Sequence, residues 1–368
     1  MPDLGVQLQL MIGPTLPRPA PFEVIDALTS IEVTDYDRGR DGFQLTFSLG
    51  KNSLLEYGLL QSGIFDPPGR VIITVIIGGI SEVLMDGLIT THQVVPGNKP
   101  GESTLSVTGE DISLQLDLVE VNATYPDQSH STIVTQIVGR YGLTPVVTPT
   151  TYVPNDTDYI HTQHETDLTF IQRLATQNGF IFFIEPTNVP GDNIAYWGVD
   201  NRLGELQPAL TMNMGPDTNV DSQITFSFNA LGPAKPQVSI IEPTTKLAIP
   251  IPIPSPLEPS LSSRPTLPMR VSLARDTSNL NFAEAVLKAL TTVSQSVDAV
   301  TATGEVDAIR YGRVLRARRL VGVRGVGNSY DGVYYVKQVT HRIKRGEYKQ
   351  SFTLVREGRG ALAPVVVP

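Results

Sequence analysis

Cysteine is absent from this 368-residue chain. That excludes disulfide staples and thiolate metal sites, so stability outside a cell has to come from packing and oligomerisation. Charge is sparse. Asp, Glu, Lys and Arg make up 18 % of the residues against 40 % hydrophobic, the reverse of a disordered chain. A basic excess is missing as well: the net charge is −9 and the pI about 5.1, which argues against a general nucleic-acid binder. Long apolar runs are lacking. The most apolar one, VIITVIIGGI from Val71 to Ile80, has ten residues where a membrane helix needs about 20. It reads as a buried strand entering a turn at Gly78-Gly79, and no membrane span is expected. The N-terminus, MPDLGVQLQLMIGP, has no basic region followed by an apolar run, so no secretory signal is expected.

What is present is strand patterning. Phe43, Leu45, Phe47 and Leu49 alternate with polar residues, as do Ile224, Phe226 and Phe228 and, less regularly, Tyr348, Phe352 and Leu354. From Thr150 to Pro190 the pattern becomes mixed helix and strand. A proline-rich stretch from Pro243 to Pro268 reads as an extended connector, because proline removes backbone donors. A helix is expected from Leu280 to about Val297, with Ala283, Val286, Leu287, Leu290 and Val293 as its apolar stripe.

Two segments match without gaps. DGLITTHQVVPGNKPGESTLSV starts at Asp86, and DGVYYVKQVTHRIKRGEYKQSFTLV starts at Asp331. Asp86 and Gly87 meet Asp331 and Gly332, Gln93 meets Gln338, Val94 meets Val339, and Gly101-Glu102 meets Gly346-Glu347. Both copies read as strand, turn, strand. The match is either chance or the trace of a duplicated β-domain.

Candidate chemistry is thin. His161, His164 and Glu165 form H-x-x-H-E, which fits neither H-E-x-x-H nor H-x-x-E-H and precedes the expected helix. No metal site is expected there. The local reading is a helix capped by Thr166, with Glu165 and Asp167 at its positive end and Asn178-Gly179 as the stop. The run RYGRVLRARRLVGVRG carries Arg310, Arg313, Arg316, Arg318, Arg319 and Arg324, interleaved with Val314, Leu315, Leu320, Val321 and Val323. It reads first as a strand with a charged solvent or interface face. A nucleic-acid surface is the weaker alternative, since aromatic residues for base stacking are few. Gly-x-Ser-x-Gly and a P-loop are missing, and no helix pattern follows GVRGVG. Carboxylate pairs such as Glu110-Asp111 occur on any acidic surface, and a glycan-flanking pair is left open. No catalytic residue and no cofactor are expected.

ETDLTFIQRLATQNGFIFFIEP resembles the pattern of the phage late control D family ("phage protein D"), and of the hub part of VgrG spikes. The residues that carry the resemblance are Glu165, Asp167, Leu168, Phe170, Arg173, Leu174, Asn178, Gly179 and Phe180. A second block from Gly312 to Gly358 is similar to the C-terminal block of those hubs, through Gly332, Tyr334, Tyr335, Val336, Val339, His341, Gly346, Tyr348, Phe352 and Arg356. Both are packing patterns and not catalytic signatures.

The resemblance implies a mainly β chain with α+β insertions, built on two tube-protein-like β-barrels. Residues 1–117 are the expected first barrel, completed by about 218–242; 118–217 an α+β insertion; 243–268 the connector; and 269–368 a second barrel with a helical insertion. It further implies a homotrimeric baseplate hub joining a six-fold tail tube to a three-fold spike. Its expected partners are the tube protein above, a separate spike protein below, baseplate wedge proteins, and tape-measure protein or cargo in the lumen. No specific nucleic acid is expected. Such a hub is assembled in the bacterial cytoplasm and ends up in a virion tail or a contractile injection particle. Two other readings stand beside it: a baseplate-associated cell-wall hydrolase, and a tail-tip carbohydrate- or receptor-binding module.

Overall fold

Phe43, Leu45 and Phe47 are buried together from strand β4 (Gly42–Ser48), while Gln44 points the other way. The computed structural model in which they sit describes residues 5–14, 16–50, 57–99, 102–153, 160–200, 202, 204–220, 222–241, 247–250, 259–273 and 298–362. Around β4 runs an antiparallel sheet of β1 (Gln7–Gly13), β2 (Arg18–Pro19), β3 (Leu28–Tyr36), β5 (Arg70–Ile77), β6 (Ile80–Val95) and β7 (Thr104–Asp111). Its order is β2-β1-β5-β6-β7-β4-β3. The apolar run is β5 and its turn, where Gly78 and Gly79 take φ of 57° and 82°. Among the described residues no helix is long and apolar enough to cross a membrane.

The insertion has its own core. It comprises β8 (Glu120–Tyr125), α3 (His130–Arg140), β9 (Thr144–Val147), β10 (His161–Thr166), α4 (Asp167–Asn178), β11 (Ile181–Pro186) and β12 (Asn193–Gly198). Helices α1 (Phe22–Ala27) and α2 (Gly58–Gln61) precede it. Ile133, Ile137, Phe170, Leu174 and Trp197 are fully buried in this core. Thr166 caps α4 by accepting from Thr169 N–H, and Gly179 ends it at φ 72°.

The second sheet is formed by β13 (Leu206–Thr211), β14 (Thr225–Phe228), β20 (Val300–Asp307), β21 (Leu320–Arg324), β22 (Gly332–Lys344) and β23 (Glu347–Arg356), with α5 (Ala308–Tyr311) after β20. Five short strands lie between β14 and β20: β15 (Ala234–Gln237), β16 (Ser239–Ile241), β17 (Ala248–Pro250), β18 (Arg264–Pro265) and β19 (Arg270–Leu273). β15 pairs with β19, β16 with β17, and β18 with β24 (Gly358–Arg359). The chain is thus mainly β, with one α+β insertion described.

Both halves repeat one strand order. The first sheet reads β1-β5-β6-β7-β4-β3 and the second β13-β21-β22-β23-β20-β14, position for position in chain order from β3 and β14 onward. The outermost pair differs, since β1 is antiparallel to β5 and β13 parallel to β21. The hairpins carry matching bulges, at Thr90 in β6 and Lys337 in β22. Core volumes compensate: Phe43 lies against Gly109, and the equivalent pair is Ala302 against Leu354. The two sheets also join, because β22 pairs with β3 over seven positions from Gln338↔Tyr36 to Lys344↔Ser30.

Several expectations change. Of the strands in 218–242, β14 pairs with β20 and so belongs to the second sheet and not the first, while β15 and β16 pair with β19 and β17 outside both. The insertion core draws on residues from Ile112 to Trp197, with Leu88 of β6, and stops short of residue 217, and the second sheet begins at β13, well before 269. Alternation reveals which face of a strand is buried but not which sheet receives it. The described parts of 243–268 hold β17 and β18, so they are not a bare tether. The expected helix at 280–297 and Gly101 lie outside the described residues. The ungapped repeat matches the return strands, setting Thr104 with Lys349, but is off by two residues in the first strands. There the bulges set Thr91, and not Gln93, against Gln338. The slack is taken up in the turn: eight residues separate Val95 from Thr104, whereas β22 reaches Lys344 and turns through Arg345 and Gly346 alone.

Backbone contact explains Gly109, where a Cβ would meet Leu88 O at 2.2 Å and the Phe43 ring at 2.4 Å. Gly109→Ala is expected to cost about 1–3 kcal/mol by overpacking. Gly139→Ala, in an open part of α3, should instead gain about 0.5–1 kcal/mol. Urea midpoints of the two variants check both signs.

Candidate functional site

The arginine run does not form the solvent-facing strand its sequence suggests. Only Leu320–Arg324 is strand, and Arg316 and Arg318 are buried in the loop before it. Arg318 holds φ at 62°, a left-handed value that costs a β-carbon residue energy; its N–H bonds to Val336 O. Its guanidinium reaches into the first sheet. There it meets Asp35 at 2.9 Å and both oxygens of Asp41 at 2.8 and 2.7 Å. It also lies 4.3 Å from the Phe183 ring centroid in the insertion. Arg316 donates to the carbonyls of Val83 and Leu84 in β6 and pairs with Glu82 at 3.5 Å. Arg319, exposed, pairs with Glu185 of β11 at 2.9 Å. One loop therefore ties both sheets and the insertion together.

Buried charge makes this junction sensitive. Burial disfavours the Asp35 carboxylate, but Arg318, Arg316 and the Ala317 N–H outweigh it and hold the pKa below its usual value. Burial, with Asp35 and Asp111 nearby, pushes Asp41 up despite Arg318. His341, fully buried, contacts Tyr348 Oη at 2.9 Å. Burial first, and Arg316 second, push its pKa down to about 3.

The remaining sequence-marked residues fall into separate places. In the insertion, Arg173 pairs with Glu165 at 2.7 Å, donates to Thr162 O, and sits 4.9 Å from the Phe170 ring. Asp167 accepts from Tyr141 Oη and Gln163 Nε2. In the second sheet, Gly332 takes φ 126°, and a Cβ there would lie 2.8 Å from Arg356 Nη1. Arg356 stacks 4.3 Å over Tyr334 and donates to the carbonyls of Gly358, Asp331 and Ser329. Tyr335 lies under Arg202, and Gly346 forms the turn at φ 78°. Asp86 takes a bidentate contact from Arg70 and a bond from Asn193, while Gly87 gives close room to Glu110 O. Gln93 is exposed and Gln338 half-buried, each on the outer face. These residues pack; they do not converge on one cleft.

The suspected chemical motifs are pulled apart by strand geometry. His161 and His164 lie three apart on β10, so one is buried and the other exposed. The His161 ring lies tilted against His130 with centroids 4.5 Å apart, and His164 pairs with Asn122. No group of three or more potential metal ligands occurs among the described residues. Glu110 and Asp111, adjacent on β7, face opposite sides. Glu110 binds Arg40, while Asp111 accepts from the N–H groups of Asp41 and Ser113.

Solved structures share this architecture. A tail protein from Neisseria meningitidis MC58 superposes with a TM-score of 0.64 at 14 % identity, over 97 % of this chain and 98 % of that one. The 43 kDa tail protein of prophage MuSo2 from Shewanella oneidensis gives 0.63 at 16 %, over 96 % and 99 %. An E. coli type VI secretion component described as similar to the T4 tail proteins gp27 and gp5 gives 0.55 at 13 %, over 93 % and 77 %. The chain has a tail-protein fold. A family model described as the Alg8 N-terminal domain matches residues 42–192. That span is under half of the chain, takes β4 without β3, and stops before β12, so it does not coincide with a folding unit. Comparison with curated proteins by sequence finds no match.

Eight consecutive strands, β6-β7-β4-β3-β22-β23-β20-β14, turn polar and charged side chains away from the cores. One row sets Thr34 beside Thr340, Ser351 and Glu305, and the Thr34 and Thr340 hydroxyls lie 3.3 Å apart. Another sets Thr91 beside Thr108, Gln44, Glu32 and Arg342, where Arg342 and Glu32 pair at 3.0 Å.

Arg318→Met leaves two carboxylates buried without their cation and is expected to cost about 3–5 kcal/mol. Adding Asp35→Asn and Asp41→Asn should recover part of that in urea unfolding. For His341 the folded pKa is depressed, so protonation favours the unfolded chain. Its stabilising share is complete above pH 7 and fades as pH falls from 6.5 toward 3. The loss at pH 5 is about 2 kcal/mol. His341→Asn should remove about that much of the difference between urea midpoints measured at pH 7.5 and pH 5.

Proposed function

We propose that this chain is a structural baseplate hub of a contractile phage tail or a phage-derived contractile injection system. In this reading three copies form a symmetry adaptor between a six-fold tail tube and a three-fold spike. The observation that carries it is the repeated strand order of two sheets already joined edge to edge within one chain. Three such chains present six similar sheets, which matches a six-fold ring on one side and a three-fold axis on the other. The tail-protein fold supports the same reading, as does the late control D resemblance at Glu165–Phe180 and Gly332–Arg356.

The hub role is mechanical. The continuous polar face is the wall of a conduit: hydroxyl and amide groups keep it wetted, and its long charged side chains are largely matched with opposite charges. The insertions face outward to baseplate wedge proteins, the tube protein binds above and a separate spike below, and tape-measure protein or cargo passes within. The particle forms in the bacterial cytoplasm. No residue is assigned a catalytic role.

A density map of the assembled particle at the tube–spike junction tests this. The expected result is three copies whose first and second sheets alternate in one six-part layer. Six copies of the chain, or three copies whose two sheets lie in different layers, would overturn the adaptor reading.

A further inference from the structure

His130 opens α3 and meets the far end of α4. Its Nδ1 lies 2.7 Å from Asn178 Nδ2, and the same Nδ2 lies 2.7 Å from Leu174 O. An amide nitrogen has two hydrogens, and the Leu174 carbonyl must receive one of them. Turning the amide over would set its oxygen against that carbonyl, acceptor against acceptor. The other hydrogen is therefore aimed at His130 Nδ1, which has to accept and so carries no proton of its own. The buried His161 ring of β10 stands against His130. The charges that act on His130 come from His161 and from Arg173 on α4, and neither is an acid. Arg173 is already matched with Glu165. β9, which also packs on α3, has no ionisable side chain, and Asp127 is exposed in the turn before the helix. His130 is moreover the first residue of α3, where the helix end favours negative charge. Burial first, and His161 second, push its pKa down to about 4. Burial first, and Arg173 second, lower that of His161.

We propose that His130 is an acid-released latch inside the insertion: a proton on Nδ1 turns the acceptor into a donor, sets it against the Asn178 amide, and frees the start of α3 from the end of α4. One proton is taken from water and one hydrogen bond is lost. The release is local. Ser131 N–H donates to Thr150 Oγ1 and Thr150 N–H donates to Ser131 Oγ, which fastens the same end of α3 by bonds that do not titrate. The helix is thus loosened and not lost. What it uncovers is apolar, since Ile133, Val134, Ile137 and Val138 turn into the insertion core with Ile171 and Leu174. The folded pKa lies below the usual histidine value, so protonation favours the open form. The latch is closed above pH 7, and its hold fades as pH falls from 6.5 toward 4. The inference goes beyond the hub reading and does not depend on it.

Hydrogen exchange of the full chain, read peptide by peptide and corrected for the intrinsic effect of pH, tests the latch. Between pH 7.5 and pH 5 the opening equilibrium of α3 and of the last turn of α4 should rise about 30-fold. His130→Gln keeps an acceptor for Asn178 and cannot titrate. In that variant the rise in α3 should fall to a third or less, while peptides of β23 beside His341 keep theirs. A rise in α3 below threefold in the natural chain, or an equal rise in the glutamine variant, would overturn the latch. If the variant does not fold, the natural chain with 15N-labelled histidine still decides. His130 should show an unprotonated Nδ1 and a protonated Nε2 at pH 7.5, and should take up its second proton over the pH range in which α3 opens. A proton on Nδ1 at pH 7.5, or protonation that leaves the exchange of α3 unchanged, would refute it.

Discussion

A β-strand has two hydrogen-bonding edges, and β22 shares one of them between two partners: β21 near its start and β3 from Gln338 to Lys344. The placement of one sheet against the other is consequently a matter of backbone register first, which side chains then hold. A slip of one residue would turn His341 and Ile343 out of the core and bring Arg342 into it. Tyr348, Gln350 and the Arg316 loop all pack on that arrangement, so they inherit the same register.

The ion cluster at Arg318 makes sense in that light. Buried ion pairs rarely add net stability, because desolvation offsets the attraction. They do penalise alternatives steeply, since a displaced partner leaves a charge uncompensated. Arg318 reaches Asp35 on β3 and Asp41 in the turn that follows, while Ala317 N–H also binds Asp35. Its worth therefore lies in holding one register. In the strand order of the first half, the position of Asp35 corresponds to Phe228. That equivalent position carries no acid, so the clamp has no counterpart on β14.

Much of this was readable in the sequence where a signal is local. Alternation at Phe43, Leu45 and Phe47 marks a strand, Thr166 and Gly179 bracket α4, and Gly78-Gly79 marks a turn. The duplicated hairpin was visible too, though only to within two residues, because the bulges match and the two turns differ in length, so one ungapped alignment fits the return strands and misses the first strands. What could not be read were pairings across hundreds of residues. Nothing near Arg318 announces Asp35 or Asp41, and nothing near Thr225 says which sheet takes it. A hint did exist: six arginines in a chain poor in charge require acidic or carbonyl partners, and buried ones require them close by.

The turns of the two equivalent hairpins differ, one closing through Arg345 and Gly346 and the other carrying the longer Pro96–Ser103 loop. Both sit at the same end of their sheets. In the three-copy hub proposed above, one rim would carry these two turns in alternation, three of each. A neighbour that reads only the strands would meet six like units, while one that rests on that rim would meet three. A difference in one turn would thus be enough to write a lower symmetry onto one rim of a higher one, without any change to the wall beneath.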